Sequence, residues 1–203
     1  MSKGRRTWLT IGVVVVVLIT LWLALARNCP SGGIAFTARA RNLHLLKNRT
    51  ALPQAADFDS RVTLAALLQR GDDTNRWSND HAARIQGEVI DAAYARPEAT
   101  NCFSPCRRDI HIVVANRKDA PKSEQIIVEV TPRFQDWANS QGIDWSAETL
   151  RQELVGHWCE FEGWLYFDAG HDEESENIAP GKADNWRATA WEIHPVTKIT
   201  VVR

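Results

Sequence analysis

The stretch RATAWEIHPVTKITVV, at residues 187–202, decides the fold, because it is a long β-branched and aromatic segment close to the end of the chain. Residues of these types favour extended strands. Glu192 and His194 lie two positions apart in it, and residues two apart on a strand point to the same face of a sheet. We therefore expect a strand that presents a carboxylate and an imidazole side by side.

Four segments upstream also alternate between apolar and polar residues, as half-buried strands do. They cover residues 84–90, 109–114, 125–131 and 157–167. Between the third and the fourth, Asp144 or Ser146 caps a helical pattern over residues 145–155, which Gly156 ends. Three strands, one helix and two strands is the element order of an OB fold, a five-stranded Greek-key barrel. The sequence thus predicts a mainly β, OB-like barrel domain over residues 80–203.

The N-terminal part of the chain has a different composition. Residues 8–26 contain no charged side chain and follow a basic segment, residues 1–7. This pattern is typical of a transmembrane helix that acts as a signal anchor, with a cytoplasmic N-terminus. We therefore expect a single-pass protein of the cytoplasmic membrane whose C-terminal domain lies outside. A cleaved signal peptide is the alternative, because Ala24-Leu25-Ala26 fits a small-x-small cleavage site.

Two short regions connect the predicted anchor to the predicted barrel. Residues 27–56 contain Ser-Gly-Gly and Pro53 and show little periodicity, which indicates a juxtamembrane connector. Residues 57–79 begin with a short helical pattern whose leucines form one apolar face and which Gly71 closes. A polar linker completes this second region.

The predicted export affects how the four cysteines are interpreted, because exported proteins can form disulfides. In an oxidising compartment, Cys102 and Cys106 are candidates for a disulfide that closes a small loop. A C-x3-C metal half-site is the alternative, but the sequence has no second cysteine pair to complete it. Cys159 lies in an apolar strand and is interpreted as a buried small hydrophobe, while the role of Cys29 stays open.

The charge balance constrains the partners. The formal net charge is −1, so the basic excess that nucleic-acid-binding proteins show is absent and no nucleic-acid partner is expected. Nine tryptophans are many for 203 residues. Trp158, Trp164 and Trp191 lie on strands and could stack on sugars or bases, although packing in an aromatic core is the more ordinary use of such residues.

Several motifs carry a family resemblance over roughly three-quarters of the chain. LKNRT, the cysteine pair followed by DIHI, VEVTPR, GWLYFD and RATAWEIHPVT resemble segments of uncharacterised bacterial membrane-associated proteins of the cell envelope. The resemblance implies membrane association, but it implies no activity and no catalytic residue.

The fold nevertheless predicts where a site should lie. OB domains commonly bind ligands on the face of strands two and three, between the loops that join strands 1–2 and strands 4–5. If the alternation holds, four side chains face outward together on strands two, three and five: His111, Glu129, Glu192 and His194. Arg133 and Arg187 are added as ligand-binding candidates, because their forked donors suit carboxylates and phosphates.

Three functions fit this pattern. The first is a membrane-anchored binding module for an envelope protein, a glycan or a small anionic ligand, without a cofactor. The second is a metal-dependent hydrolase in which His111, Glu129, Glu192 and His194 hold a divalent metal that activates water. The third is a structural role, in which these are polar residues of a solvated outer face that bond to one another and to nearby loops.

Overall fold

The computed structural model describes residues 3–202, except for the side chains of residues 3–7, 9 and 25. Its main body is a closed barrel of five strands: β1 (Ala82–Tyr94), β2 (Ile110–Ala115), β3 (Gln125–Val130), β4 (Trp158–Phe167) and β5 (Trp191–Val201). The α-helices of the described part are α1 (Lys3–Arg27), α2 (Ala38–Lys47), α3 (Leu64–Leu68), α4 (Pro132–Ser140) and α5 (Ala147–Leu154). The prediction of a mainly β, five-stranded barrel is confirmed.

The order of the strands around the barrel is β1-β2-β3-β5-β4, and β4 closes the barrel on β1. β5 runs parallel to β3, with Val128 opposite Ile193, and antiparallel to β4. The other neighbouring pairs are antiparallel. This order is compatible with an OB-like fold, and it places β2, β3 and β5 side by side as expected.

The alternation along β2 and β3 determines which face of the sheet fills the core. Ile110, Ile112 and Val114 are fully buried in the core cluster, and His111 between them points away from it. In β3, Glu129 likewise lies on the opposite face from its core neighbours, Ile126, Val128 and Val130. Because the side chains of a strand alternate with a period of two, the apolar positions fix the orientation of the polar ones.

Two helices, not one, connect β3 to β4, so the prediction of a single helix is wrong. The predicted segment over residues 145–155 forms α5, and Leu150 and Leu154 pack into the core. The additional helix α4 begins at Pro132. The Thr131 hydroxyl accepts a hydrogen bond from the Phe134 backbone N–H at 3.4 Å, which makes Thr131 the N-cap and Pro132 the first helical residue.

Gly163 lets β4 and β5 approach each other where their register shifts. A Cβ atom at this position would overlap the backbone of Pro195 and Val196. The close approach therefore requires glycine at this position of β4, opposite the part of β5 that follows His194.

The N-terminal region requires two corrections. In the described part of the chain, no helix combines the length and the apolar composition needed to cross a membrane. The predicted transmembrane helix at residues 8–26 is therefore wrong, and so is the single-pass membrane localisation that depended on it. The region of residues 27–56 is not an irregular connector either, because it contains α2. The Thr37 hydroxyl caps this helix by accepting a hydrogen bond from the Ala40 N–H at 3.1 Å.

The predicted Cys102–Cys106 disulfide is also wrong, because Cys102 is bonded to Cys29. Backbone contacts hold the two partner segments together: the Ile34 N–H donates to the Ala99 carbonyl at 2.8 Å. Cys106 carries an exposed free thiol, and Cys159 is buried and free, as expected for a small core residue. Sequence proximity favoured Cys106 as the partner, whereas tertiary contacts bring Cys29 to Cys102.

The Cys29–Cys102 bond closes a loop of 73 residues in sequence separation and should stabilise the fold mainly by constraining the unfolded chain. We expect the Cys29→Ser variant to lose about 2–4 kcal/mol of unfolding free energy in urea titrations. Cys106→Ser is the matched control and should change the unfolding free energy little, since its thiol is exposed. A Cys102–Cys106 linkage in peptide mapping of the oxidised protein would contradict the pairing.

Candidate functional site

The polar face of β2 and β3 is organised around a cross-strand pair. His111 and Glu129 lie directly opposite each other in the antiparallel register. His111 Nε2 lies 3.0 Å from Glu129 Oε1. Residues that are opposite on neighbouring strands have their Cβ atoms within about 5.5 Å, so this ion pair follows from the register alone.

The β5 residues complete the group. His194 Nδ1 lies 3.1 Å from Glu129 Oε2 and 3.4 Å from Glu192 Oε2. Glu129 is thus held between two imidazoles, one from β2 and one from β5. The structure brings together all four residues that the sequence placed on a common face.

This face is not a solvated outer surface, however. The relative exposures of Glu129, Glu192 and His194 are 2%, 1% and 0%, and only His111 among the four retains partial access, with 30% of its side chain exposed. The expectation that this face is solvated is therefore wrong, although its residues do bond to one another and to a nearby loop as expected. Segments outside the barrel cover this face, and the alternation of residues along the strands could not predict that cover.

One covering element is the C-terminal end of α2. It places Lys47 over the face with 6% relative exposure, and Lys47 Nζ lies 3.2 Å from Glu98 Oε2 in the β1–β2 loop. Burial opposes the charge of this ammonium, but the carboxylates of Glu129, Glu98, Asp168 and Glu192 raise the pKa of Lys47 well above its usual value. Lys47 therefore supplies a permanent positive charge to a region rich in carboxylates.

The β4–β5 loop contributes the second covering group through Arg187, whose side chain is fully buried. Its guanidinium donates from Nη1 to Glu192 Oε1, and from Nη2 to Asp168 Oδ2 at 3.1 Å and to the His171 carbonyl at 2.8 Å. Arg187 thus joins the group that the sequence proposed, with carboxylates of the chain itself as its partners.

Arg133 does not join this group. Its guanidinium donates from Nη1 to Asn48 Oδ1 at 2.6 Å and from Nη2 to the Cys29 carbonyl at 2.9 Å. These bonds tie α4 to the end of α2 and to the disulfide-bonded segment. Arg133 therefore holds the N-terminal region against the barrel.

The sequence interpretation missed Asp109 as a site residue. This carboxylate precedes β2, is 1% exposed, and accepts a hydrogen bond from Asn101 Nδ2 to its Oδ2 at 3.0 Å. One ligand atom each of Asp109, Glu129 and His194 lies within 4.8 Å of the others. The sequence did contain a signal for Asp109. It lies two residues before His111, the same spacing that placed Glu192 and His194 on a common face. Lys47 had no comparable signal.

Burial and neighbouring charges shift the pKa values of the carboxylates and imidazoles in this group in different directions. Burial raises the pKa of Asp109 to about 6, although the His194 charge opposes this. Burial opposes the charge of His111 as well, but the Glu129 carboxylate raises its pKa to about 9. Burial would raise the pKa of Glu129, yet the charges of His111 and His194 outweigh it and hold that pKa well below the usual value. Burial opposes the charge of His194 too, but the Glu129 carboxylate raises the pKa of this imidazole above its usual value, so both histidines favour the anionic form of Glu129.

A cleft of about 690 Å³ opens above this charged floor. It lies between the β1–β2 and β4–β5 loops, where OB domains commonly bind ligands. The ring of Trp186 forms part of its wall and lies parallel to the His111 ring, with centroids 6.2 Å apart. Trp186 is held by its Nε1–H bond to Glu174 at 2.5 Å and by the Arg187 guanidinium, 4.7 Å from its ring centroid. Further lining residues are Lys47, Tyr94, Arg96, Glu98, Glu129, Asp168, His171, Asp184 and Glu192.

Most of the charged side chains beneath the cleft are already paired with one another. Ion pairs within the chain engage most of the charged groups beneath the cleft, and they hold those groups in place without a ligand. The carboxylates and imidazoles at the surface of the cleft can still exchange hydrogen bonds with a polar molecule. The site therefore offers a preorganised polar floor and an aromatic wall.

Comparisons of the chain with protein-family models and with curated proteins found no match.

Arg187 should be among the most sensitive positions for stability. Arg187→Met would leave Asp168 and Glu192 buried without their cation, and we expect a loss of about 3–5 kcal/mol in urea unfolding. Arg84→Met is the control, because Arg84 pairs with Glu162 on the barrel surface and 55% of its side chain is exposed. We expect that control to lose less than about 1 kcal/mol. Equal losses in both variants would contradict the buried network.

The His171–Asp168 pair should make stability depend on pH. Its hydrogen bond with Asp168, at 3.1 Å, raises the pKa of His171; burial and the nearby Arg187 charge act against this, and Glu174 acts with it. The stabilisation is therefore complete below the unfolded-state pKa of about 6.5 and is lost as pH rises through the folded-state pKa.

We expect His171→Gln to destabilise the protein by up to about 1 kcal/mol at pH 5.5, because the side chain is half-exposed, and by less at pH 9. Thermal unfolding at both pH values measures the difference. His157→Gln, in the exposed turn before β4, is the control. A His171→Gln loss that grows with pH would show that the sign is wrong.

Proposed function

We propose that this chain is an OB-like binding module that takes a small, neutral, hydroxyl-rich ligand, such as a short glycan, into the cleft over β2, β3 and β5. The observation that carries the proposal is the cleft itself, with its rigid charged floor and the Trp186 wall. Its volume of about 690 Å³ falls within the range of small-molecule sites.

The composition of the cleft favours a neutral ligand over an anionic one. Its lining contains six carboxylates: Glu98, Glu129, Asp168, Glu174, Asp184 and Glu192. Among the described residues, the lining has one lysine, Lys47, and one arginine, Arg96, and His111 and His171 add two imidazoles. A phosphate or a nucleic acid would meet more negative than positive charge there, whereas hydroxyl groups can donate to carboxylates and accept from imidazolium and ammonium groups.

Preorganisation supports the same proposal. The floor residues are positioned by neighbours in the chain, so a ligand would not have to order them on binding. A flat aromatic side chain at the edge of such a floor provides apolar contact area for a sugar ring while leaving the hydroxyl groups to the polar residues.

A metal-dependent hydrolase that uses His111, Glu129, Glu192 and His194 is less well supported. Glu192 is engaged by Arg187, and His111 is paired with Glu129. His111 and His194 thus pair with Glu129, and Glu192 pairs with Arg187.

Titration by intrinsic tryptophan fluorescence and calorimetry tests the binding proposal. The probes are glucose, N-acetylglucosamine and their short oligomers, with adenosine monophosphate as an anionic and spermidine as a cationic comparison. We expect saturable binding of at least one sugar, and Trp186→Ala should weaken it by about tenfold or more, since buried aromatic contacts often dominate binding energy.

Trp137→Ala is the control, because this partly exposed ring packs against Phe134 and Trp145, outside the cleft lining. It should bind the sugar as the unsubstituted protein does. Binding of adenosine monophosphate alone would replace the neutral ligand with an anionic one. Binding of no probe at millimolar concentration would contradict the proposal for this ligand class.

A further inference from the structure

A group of potential metal ligands lies under the floor of the cleft. Asp109, from the residue before β2, Glu129, from β3, and His194, from β5, each bring one ligand atom within 4.8 Å of the other two. The three side chains are 1%, 2% and 0% exposed. The barrel strands therefore hold donors from three separate parts of the chain in one buried place.

Unpartnered atoms in this group provide a second, independent observation. Asp109 Oδ1 and His194 Nε2 are buried and form no hydrogen bond in the described structure, and Glu129 Oε2 has only an ion-pair contact with His194 Nδ1 at 3.1 Å. Polar atoms buried in this way are costly and rare in folded proteins. A shared ligand for these atoms would remove that cost.

The other polar atom of each residue is already positioned by a neighbour. Asp109 Oδ2 accepts from Asn101, Glu129 Oε1 lies 3.0 Å from His111 Nε2, and His194 Nδ1 is hydrogen-bonded to Glu192 Oε2 at 3.4 Å. An imidazole that bonds a carboxylate through one nitrogen while the other stays free is the usual arrangement of a metal-binding histidine. Neighbouring residues thus hold one polar atom of each of the three side chains in place.

The charges around the group are also suited to a cation. Arg187 is committed to Asp168 and Glu192, and Lys47 is paired with Glu98. Asp109 and Glu129 are the two carboxylates of this group that have no lysine or arginine partner in the described structure, and the imidazoles beside Glu129 can release a proton when a cation enters. Glu129 also lines the cleft, which provides a route by which an ion could enter.

From this geometry we propose that Asp109, Glu129 and His194 form a binding site for one divalent first-row transition metal. One imidazole nitrogen with two carboxylate oxygens suits Zn²⁺, Mn²⁺ or Fe²⁺ better than Mg²⁺ or Ca²⁺, which prefer oxygen donors alone. Binding requires a neutral imidazole, so a proton held by His194 is released to solvent when the metal enters. The proposal rests on the donor group and does not depend on the glycan proposal.

Metal titration of the full-length, chelator-treated protein tests this site. We expect calorimetry to show one Zn²⁺ per chain and the melting temperature to rise with Zn²⁺ concentration, because the metal binds the folded state. Asp109→Asn should weaken Zn²⁺ binding at least tenfold, and His194→Gln should abolish it. His157→Gln, which changes an exposed imidazole in the turn before β4, should leave the affinity unchanged and serves as the control.

X-ray absorption of the Zn²⁺-loaded, unsubstituted protein keeps the test decisive if a variant does not fold. We expect a shell of nitrogen and oxygen donors with the multiple-scattering signature of one imidazole. A sulfur donor or two or more imidazoles would overturn the assignment. The absence of stoichiometric binding at millimolar Zn²⁺, Mn²⁺ and Fe²⁺, or full affinity in folded Asp109→Asn, would overturn it as well.

Discussion

The carboxylate of Glu129, buried on the middle strand of the polar face, is the constraint on which the rest of the structure depends. A buried anion is costly unless positive charge or hydrogen-bond donors surround it. His111 of β2 and His194 of β5 provide that charge from either side. The parallel placement of β5 beside β3 thus brings the His194 imidazole to Glu129 as well as forming part of the closed barrel.

Two further cations extend this network to the parts of the chain outside the barrel. Arg187 joins the β4–β5 loop to β5 through Asp168 and Glu192, and Lys47 joins α2 to the β1–β2 loop through Glu98. Buried ion pairs of this kind need not add net stability, because the desolvation of both partners opposes their attraction. In this structure they instead fix the position of the loops that form the cleft walls relative to the strands that form its floor.

The N-terminal region belongs structurally to the same site. Three interactions hold Lys47 over the strands. They are the Cys29–Cys102 bond, the N-cap of α2, and the hydrogen bonds from Arg133 to Asn48 and to the Cys29 carbonyl. A binding function for the cleft would accordingly depend on residues far from the strands in sequence. The metal site proposed beneath the cleft shares Glu129 with it, so occupancy of one site would change the charge presented to the other.

The sequence by itself determined the barrel and the proximity of four site residues. Strand alternation has a period of two, and it placed His111, Glu129, Glu192 and His194 on one face once the strand order was inferred. The sequence pattern could not show that this face is buried. One covering group, Lys47, comes from a helix without an apolar stripe, and the other two, Asp168 and Arg187, come from an irregular loop. It also assigned the wrong partner to Cys102, since local spacing carries no information on long-range contacts. It assigned a membrane span to the N-terminal helix, although no described helix is long and apolar enough for one. Only the tertiary structure decided which charges meet in the interior, where distance and desolvation, and not position in the chain, control the interaction.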